Sequence, residues 1–387
     1  GAHYCCARCA GRQGRRRGSL VMRVDDLPRL ANLSSEYLAD PLPFIAQFAK
    51  FGMSSDDVGA LVLYDSDLIE KCLHDGRSFR APSIEMMSLG AVVDGPLAEW
   101  SKRSLVFTDG GRHSELKGLV ARRFSVRGVA EQSALIRSTI EGVLAELNAS
   151  PGDEFDWMSQ IAGPAFMTSL GAFLGFDMSE GPTAKWMPVL PKLFTYEAGN
   201  HLEDLHSAFE EISLWARSVI AERGRQEAFG GVFADANDDE DAVAMFFQVL
   251  SGGWETTSAA SANIAVQLMG TDRWGDELRE PQRLGFAIRA SMAACPAALG
   301  VARVVAHEMI WNDVALAEGQ LVICMTSANR AATDQPGAAG LLAFGAGQHR
   351  CLGADLAVVQ LSALFSGIAE RWPNAQVLAS ETWTSPH

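Results

Sequence analysis

The sequence predicts a single domain that is mainly α with a small β region. Three observations carry this. Apolar residues recur at helical spacing through long segments, at 129–147, 203–224 and 241–269. Strand-like runs are few and short. No convincing linker divides the 387 residues. The chain is 48% hydrophobic and 20% charged, which is the composition of a folded globule and not of a disordered chain. A chain this long buries roughly three quarters of its unfolded surface, so a sizeable core is available.

Taken in order, residues 1–21 differ from the rest of the chain. They carry five arginines (Arg8, Arg12, Arg15, Arg16, Arg17), no acid, and Cys5, Cys6 and Cys9. They lack the apolar stretch of a secretory signal. His3 and these cysteines are too tightly spaced for a four-ligand zinc site. The segment reads as an upstream leader outside the fold, with Met22 as the expected start and 22–387 as the domain. Pro43 to Phe51 reads as an amphipathic helix after the Asp40-Pro41 turn. Ala60 to Tyr64 reads as a short buried strand, placing the β region near the N-terminal half. Residues 113–123 read as a helix with a charged face. The pattern at 241–269 is the longest helix, entered through the acidic stretch Asp238 to Asp241, which suits a helix N-terminus. Val301–Ala306 and Gln320–Cys324 read as strands, and 331–340 is rich in Gly, Ala and Pro.

Composition also excludes classes. No apolar run approaches the ~18–20 residues of a membrane helix. A net charge of −15 argues against nucleic acid as a partner, because phosphate neutralisation needs a basic face. Cys72, Cys295, Cys324 and Cys351 are far apart in sequence, as in a reducing cytoplasm.

The segment from Phe344 to Gly353 reads FGAGQHRCLG. Gly345 and Gly347 permit a tight loop with close backbone approach. Cys351 follows His349 and Arg350, and helical spacing begins immediately after it. A cysteine entering a helix N-terminus beside cations is expected to be held as thiolate. One thiolate on a glycine loop suits an axial haem ligand, and a buried structural cysteine is the plainer alternative. Upstream, residues 252–257 read GGWETT inside the longest helical pattern. Gly252 and Gly253 each cost roughly 1 kcal/mol against Ala in mid-helix, so they call for a reason. A flat ligand on that face supplies one; a small-residue packing seam supplies another. Thr256 is placed to bond back to the carbonyl four residues earlier. In TDGGRHSELKGLVARRF, residues 108–124, His113 and Lys117 share one helix face.

These segments resemble the cytochrome P-450 family. The cysteine loop matches Phe-Gly-x-Gly-x-His-x-Cys-x-Gly at Phe344, Gly345, Gly347, His349, Cys351 and Gly353. Gly252, Gly253, Glu255 and Thr256 fit the family's Ala/Gly-Gly-x-Glu/Asp-Thr segment. The resemblance implies a single-domain cytochrome P-450 fold and haem b with Cys351 as its axial ligand. It implies that His349, His113, Lys117 and Arg303 bind haem propionates. It also implies proton relay to dioxygen through Thr256, with Glu255 aiding delivery. The residue at 254, a bulky Trp, is expected to pack away from the haem. Met86, Met87, Leu89, Val92 and Val93 lie where the family places a variable substrate loop.

Two departures stand out. The family's Glu-x-x-Arg pair is replaced by Arg289-Ala290-Ser291-Met292, and the literal match Glu280-Pro281-Gln282-Arg283 sits too far upstream, in a loop-like setting. The irregular segment after Asn329-Arg330 is short, as is the chain beyond Trp372-Pro373, which implies a more open pocket. Losing a whole buried ion network is nearly neutral where apolar packing replaces it, and Met292 and 338–343 are the expected fillers.

The implied function is monooxygenation of a small-molecule or carrier-tethered organic substrate of specialised metabolism. The implied setting is a cytoplasmic monomer without membrane or nucleic-acid partners. Electrons come from NAD(P)H through a separate ferredoxin and ferredoxin reductase, steered by a basic patch of Lys117, Arg122, Arg123, Arg127 and Arg350. The alternatives are a non-catalytic haem-binding scaffold or sensor, or direct use of peroxide.

Overall fold

The computed structural model describes residues 21–87, 93–150, 152–194, 198–269, 274, 280–328 and 342–380. The arginine-rich leader, Leu89, Val92, Asn329, Arg330 and the 331–340 stretch lie outside the described residues, as does the side chain of Met87.

Helices dominate. The N-terminal part carries α1 (Ser35–Ala39), α2 (Leu42–Ala49), α3 (Ser66–His74), α4 (Ile84–Met87) and α5 (Gly95–Ser101). The central bundle comprises α6 (Gly110–Phe124), α7 (Val126–Glu146), α8 (Gly163–Leu174), α9 (Thr183–Trp186) and α10 (Leu202–Arg223). Then come α11 (Asp239–Gly252), α12 (Glu255–Leu268), α13 (Pro281–Ala294) and α14 (Ala354–Arg371). The amphipathic patterns at 129–147 and 203–224 become α7 and α10. Helix α7 lies between α8 and α14, and one core built mainly of Phe, Leu and Ile runs through these helices and α11.

The expected single helix over 241–269 is two helices. The ladder breaks at Gly253 and Trp254, and Glu255 begins the second segment. The entry is as the sequence implies: the Asp238 carboxylate accepts the N–H of Asp241, satisfying an orphan helix donor.

The β region joins distant parts of the chain and does not sit in the N-terminal half alone. One sheet has the order β2 (Arg29–Leu30), β3 (Met53–Asp56), β4 (Leu61–Leu63), β9 (Leu321–Cys324), β6 (Val301–Val305), β5 (Phe79–Arg80). Strand β9 runs parallel to β4 and antiparallel to β6, with Arg303 opposite Val322. The other sheet is β1 (Met22–Arg23), β8 (Val314–Leu316), β7 (Met309–Trp311). Asn312 and Asp313, both at positive φ, make the β7–β8 turn.

Two cysteines distant in sequence meet in the fold. Cys72 on α3 and Cys324 on β9 are buried free thiols of one core cluster. Their mutual hydrogen bond, together with burial, pushes the Cys72 thiol up.

Candidate active site

The Cys351 loop is formed by its glycines. Gly345 and Gly347 both have φ of +67°. A Cβ at Gly347 would lie 2.1 Å from the Leu73 carbonyl oxygen, so only glycine lets the loop reach α3 there. Within the loop, the Cys351 N–H donates to the Phe344 carbonyl at 2.8 Å and Arg350 N–H to Gly347 at 3.2 Å. The chain then enters α14, where Ala357 N–H donates to the Gly353 carbonyl.

Cys351 is exposed, yet its sulfur stands among enough protein atoms to be desolvated. Burial pushes its thiol up, while the Gly353 N–H, Arg350 and Lys117 pull it down without prevailing. A metal cation bound at this sulfur would favour the thiolate.

Cations gather beside this loop. His113 is 2% exposed, with Nδ1 at 3.1 Å from the Leu105 carbonyl and Nε2 at 3.1 Å from that of Gln348. Burial and the neighbouring His349 ring, 4.2 Å away by centroid, lower its pKa. Lys117 donates to the Gln348 carbonyl at 2.7 Å; burial lowers its pKa too. His349 Nε2 lies 2.8 Å from Asp109 Oδ1. Burial opposes ionisation of Asp109, yet His349 and the Ala81 N–H outweigh it and hold the carboxyl low. Arg303 is 7% exposed, donates to the Ala302 carbonyl at 2.7 Å, and makes no ion pair among the described residues. Burial presses its pKa down.

Thus the structure brings His113, Lys117 and His349 together around Gln348, with Arg303 close enough to Asp109 to act on its charge. Sequence reasoning does not single out Asp109. Its signal is an acid directly before a glycine-led helix, usually read as a cap.

The α11–α12 break holds the second segment that the sequence singles out. A Cβ at Gly253 would lie 2.5 Å from the Val249 carbonyl and 3.0 Å from Leu170, so packing requires glycine. Gly252 differs, because an added Cβ would meet nothing within 4 Å. Gly252 and Thr256 are exposed although Ser251, Thr257 and Ser258 beside them are buried. Thr256 Oγ1 donates to the Gly252 carbonyl at 3.1 Å, as its position implied. Glu255 is half-buried, and burial pushes its carboxyl to about 7 against the opposing pull of Lys192.

A cavity of about 2160 Å³ runs along α12. Trp254, Glu255, Ala259 and Asn263 line it together with Lys192, the 294–302 segment and Trp372–Ser380. Trp254 also packs on the main core. Met86 lines the cavity as expected of the substrate loop, but Val93 is a buried core residue.

The donor set fits a haem. A soft sulfur on a glycine loop and a buried arginine that makes no ion pair among the described residues match an iron and an acidic edge.

No protein-family profile matches the chain. It is 26% identical to cytochrome P-450 107B1 of Saccharopolyspora erythraea over 294 residues, covering 70% of this chain and 71% of that one. It is 24% identical to the mycinamicin IV hydroxylase/epoxidase of Micromonospora griseorubida over 338 residues, covering 81% and 82%. Among solved structures, epothilone D-bound cytochrome P-450epoK superposes with a TM-score of 0.79 at 18% identity, covering 92% and 96%. Cytochrome P-450BioI in complex with a fatty-acyl acyl carrier protein gives 0.76 at 18% identity, covering 89% and 95%. The chain has the cytochrome P-450 fold, and it is similar in sequence to bacterial cytochromes P-450. It is a monooxygenase of the oxidoreductase class.

This cytochrome P-450 departs from sequence expectation at three further points. Glu280 and Arg283 are not in a loop. Glu280 stands at the N-cap position of α13, its side chain making no cap bond, and pairs with Arg283 at 2.8 Å, an exposed i,i+3 contact and no buried network. Where the family pair was expected, Arg289 is exposed and Met292 is buried in the core. The basic patch is dispersed. Lys117 turns to the loop carbonyls, Arg123 donates to the Phe173 carbonyl and stacks on the Phe173 ring, and Arg127 pairs with Glu131. Arg122 and Arg350 remain exposed. No helix among the described residues is long and apolar enough to cross a membrane.

Proposed function

We propose that this cytochrome P-450 holds haem b with Cys351 as axial ligand and oxidises a bulky organic substrate of specialised metabolism. The carrying observation is the Cys351 loop, clamped between α3 and α6 beside His113, His349 and the buried Arg303. When bound, haem supplies the reductive activation of dioxygen, and the protein supplies orientation and electrostatics.

Each residue then has a task. Arg303 and His349 are the candidates to hold the propionates, Arg303 as the buried cation. Gly252 leaves open space at the end of α11, and Gly253 lets the break pack on Val249 and Leu170. Thr256 holds its hydroxyl at the helix break, its hydrogen on the Gly252 carbonyl and its oxygen lone pairs left to accept a proton in a relay. Glu255, with a pKa of about 7, is half-ionised near neutrality, the condition under which a carboxyl both gives and takes a proton readily. The cavity exceeds the ~300–1,000 Å³ of ordinary ligand pockets, which supports a large substrate. One named relative is a mycinamicin IV hydroxylase/epoxidase, and one structural neighbour is bound to epothilone D. The carrier-protein complex among the neighbours keeps a carrier-tethered substrate in the proposal.

Electrons reach the site from NAD(P)H through a separate ferredoxin and ferredoxin reductase, with the protein acting as a cytoplasmic monomer. The test is reconstitution with those partners. Product and oxygen uptake dependent on NAD(P)H support the reading. Turnover with peroxide alone, or none with partners present, contradicts it.

A further inference from the structure

The resemblance assigned Lys117 to a propionate, but its hydrogen bonds go elsewhere. Lys117 Nζ lies 2.7 Å from the Gln348 carbonyl oxygen and 3.4 Å from that of Arg350. His113 Nε2 lies 3.1 Å from the same Gln348 oxygen. A carbonyl oxygen has two lone pairs, so the Lys117 ammonium and His113, in the tautomer that carries its proton on Nε2, can converge on it. An ammonium-to-carbonyl bond is charge-assisted and stronger than a neutral one. Other contacts tie the same stretch: Gln348 Nε2 to the Gly110 carbonyl at 3.4 Å, His349 to Asp109, and Gly347 against Leu73. Every residue from 347 to 350 is therefore held by α3, by α6 or by the residue that leads into α6.

We infer that Lys117 and His113 are positioning residues that grip the Cys351 loop by its main chain, fixing where the sulfur stands whether or not haem is bound. Two carbonyls just before Cys351 are its points of attachment. Lys117 keeps Gln348 and Arg350 at a set height above α6, and Cys351 follows at the next residue. Arg303 is then the buried cation left for an acidic ligand edge. The grip itself is independent of the haem-thiolate reading; only the haem titration rests on it.

The experiment compares wild type, Lys117→Met and Lys117→Arg. In the haem-free protein, hydrogen exchange is read on the peptide covering 344–353. In the titration arm, affinity is measured for haem and for haem dimethyl ester, whose propionates carry no charge. Lys117→Met should speed exchange of the loop amides on the order of tenfold, the loss of one charge-assisted hydrogen bond, with the global denaturation midpoint little changed. Lys117→Arg should restore protection. Affinity in Lys117→Met should fall by the same factor for both haems. Unchanged loop exchange in Lys117→Met overturns the inference. So does an affinity loss confined to haem with free propionates, which would return Lys117 to the propionate role. If wild type binds neither haem, the haem reading fails while the exchange arm still decides the grip.

Discussion

Thr256 Oγ1 donates to the Gly252 carbonyl across the two-residue gap between α11 and α12, at 3.1 Å. The carbonyl it takes would otherwise have fed the helix ladder. Gly253 lies in the gap because a side chain there would strike Val249 and Leu170, and the space beside Gly252 stays open. The break is thus made by packing and capped by a hydroxyl.

Replacing Thr256 by Ala removes that cap from an exposed position. The stability loss should be small, about 1 kcal/mol, since the freed carbonyl can meet water. The functional loss should be larger: oxygen uptake persists while product falls. Parallel oxygen-electrode and product assays check this. Equal product per oxygen in both proteins would contradict it.

Glu255 should govern a pH dependence near neutrality. Its pKa rises from 4.5 unfolded to about 7 folded, so the folded state binds more protons between these values. The stability associated with the protonated form is fully present below about 4.5 and is lost as pH rises through 7. Glu255→Gln should flatten denaturation midpoints across this window and remove the matching limb of the rate profile. An unchanged slope in the variant would contradict the assignment.

Gly347→Ala should be among the most damaging single-methyl additions. The new carbon would sit 2.1 Å from the Leu73 oxygen, at a φ of +67°. Backbone strain alone costs of order 1–3 kcal/mol, and the clash adds to it. Haem retention after gel filtration should be lost even where helicity survives. Gly252→Ala, in open space, is the matched control and should keep its helicity unchanged.

Asp241 ties α11 to the rest of the bundle. Its carboxylate, 2% exposed, bonds Arg103 at 2.5 Å and also Arg112. Burial alone would raise its pKa, but the two arginines hold it low. Its contribution is therefore present above the unfolded value near 3.8 and lost as pH falls through the lower folded value. Asp241→Asn should lower the stability read by urea unfolding by about 1–3 kcal/mol, less than for a fully buried pair because both arginines are over a third exposed at the side chain. The difference from wild type should shrink in acid.

Much of this was legible in the sequence. The long helices announced themselves by spacing, the cysteine loop by its glycines, and the Thr256 back-bond by the i−4 offset. Other features were not. Strands of two or three residues show no alternation, so β1, β2 and β5 left no pattern. A glycine pair marks stress in a helix but not whether the ladder breaks, which Leu170 and Val249 decide. Arg123 looked like a surface cation because nothing local reveals Phe173. Cys72 and Cys324 meet only because β9 inserts between β4 and β6, a pairing across the whole chain. The direction of the Cys351 shift also depends on enclosure, which spacing does not encode.

The most direct test of the central claim is the absorbance spectrum of the reduced, carbon-monoxide-bound protein, with Cys351→Ala beside it. A thiolate-type Soret band in wild type that disappears in Cys351→Ala is the predicted result. A wild-type protein without that band, or a band surviving in Cys351→Ala, would contradict the assignment of Cys351 as the axial ligand.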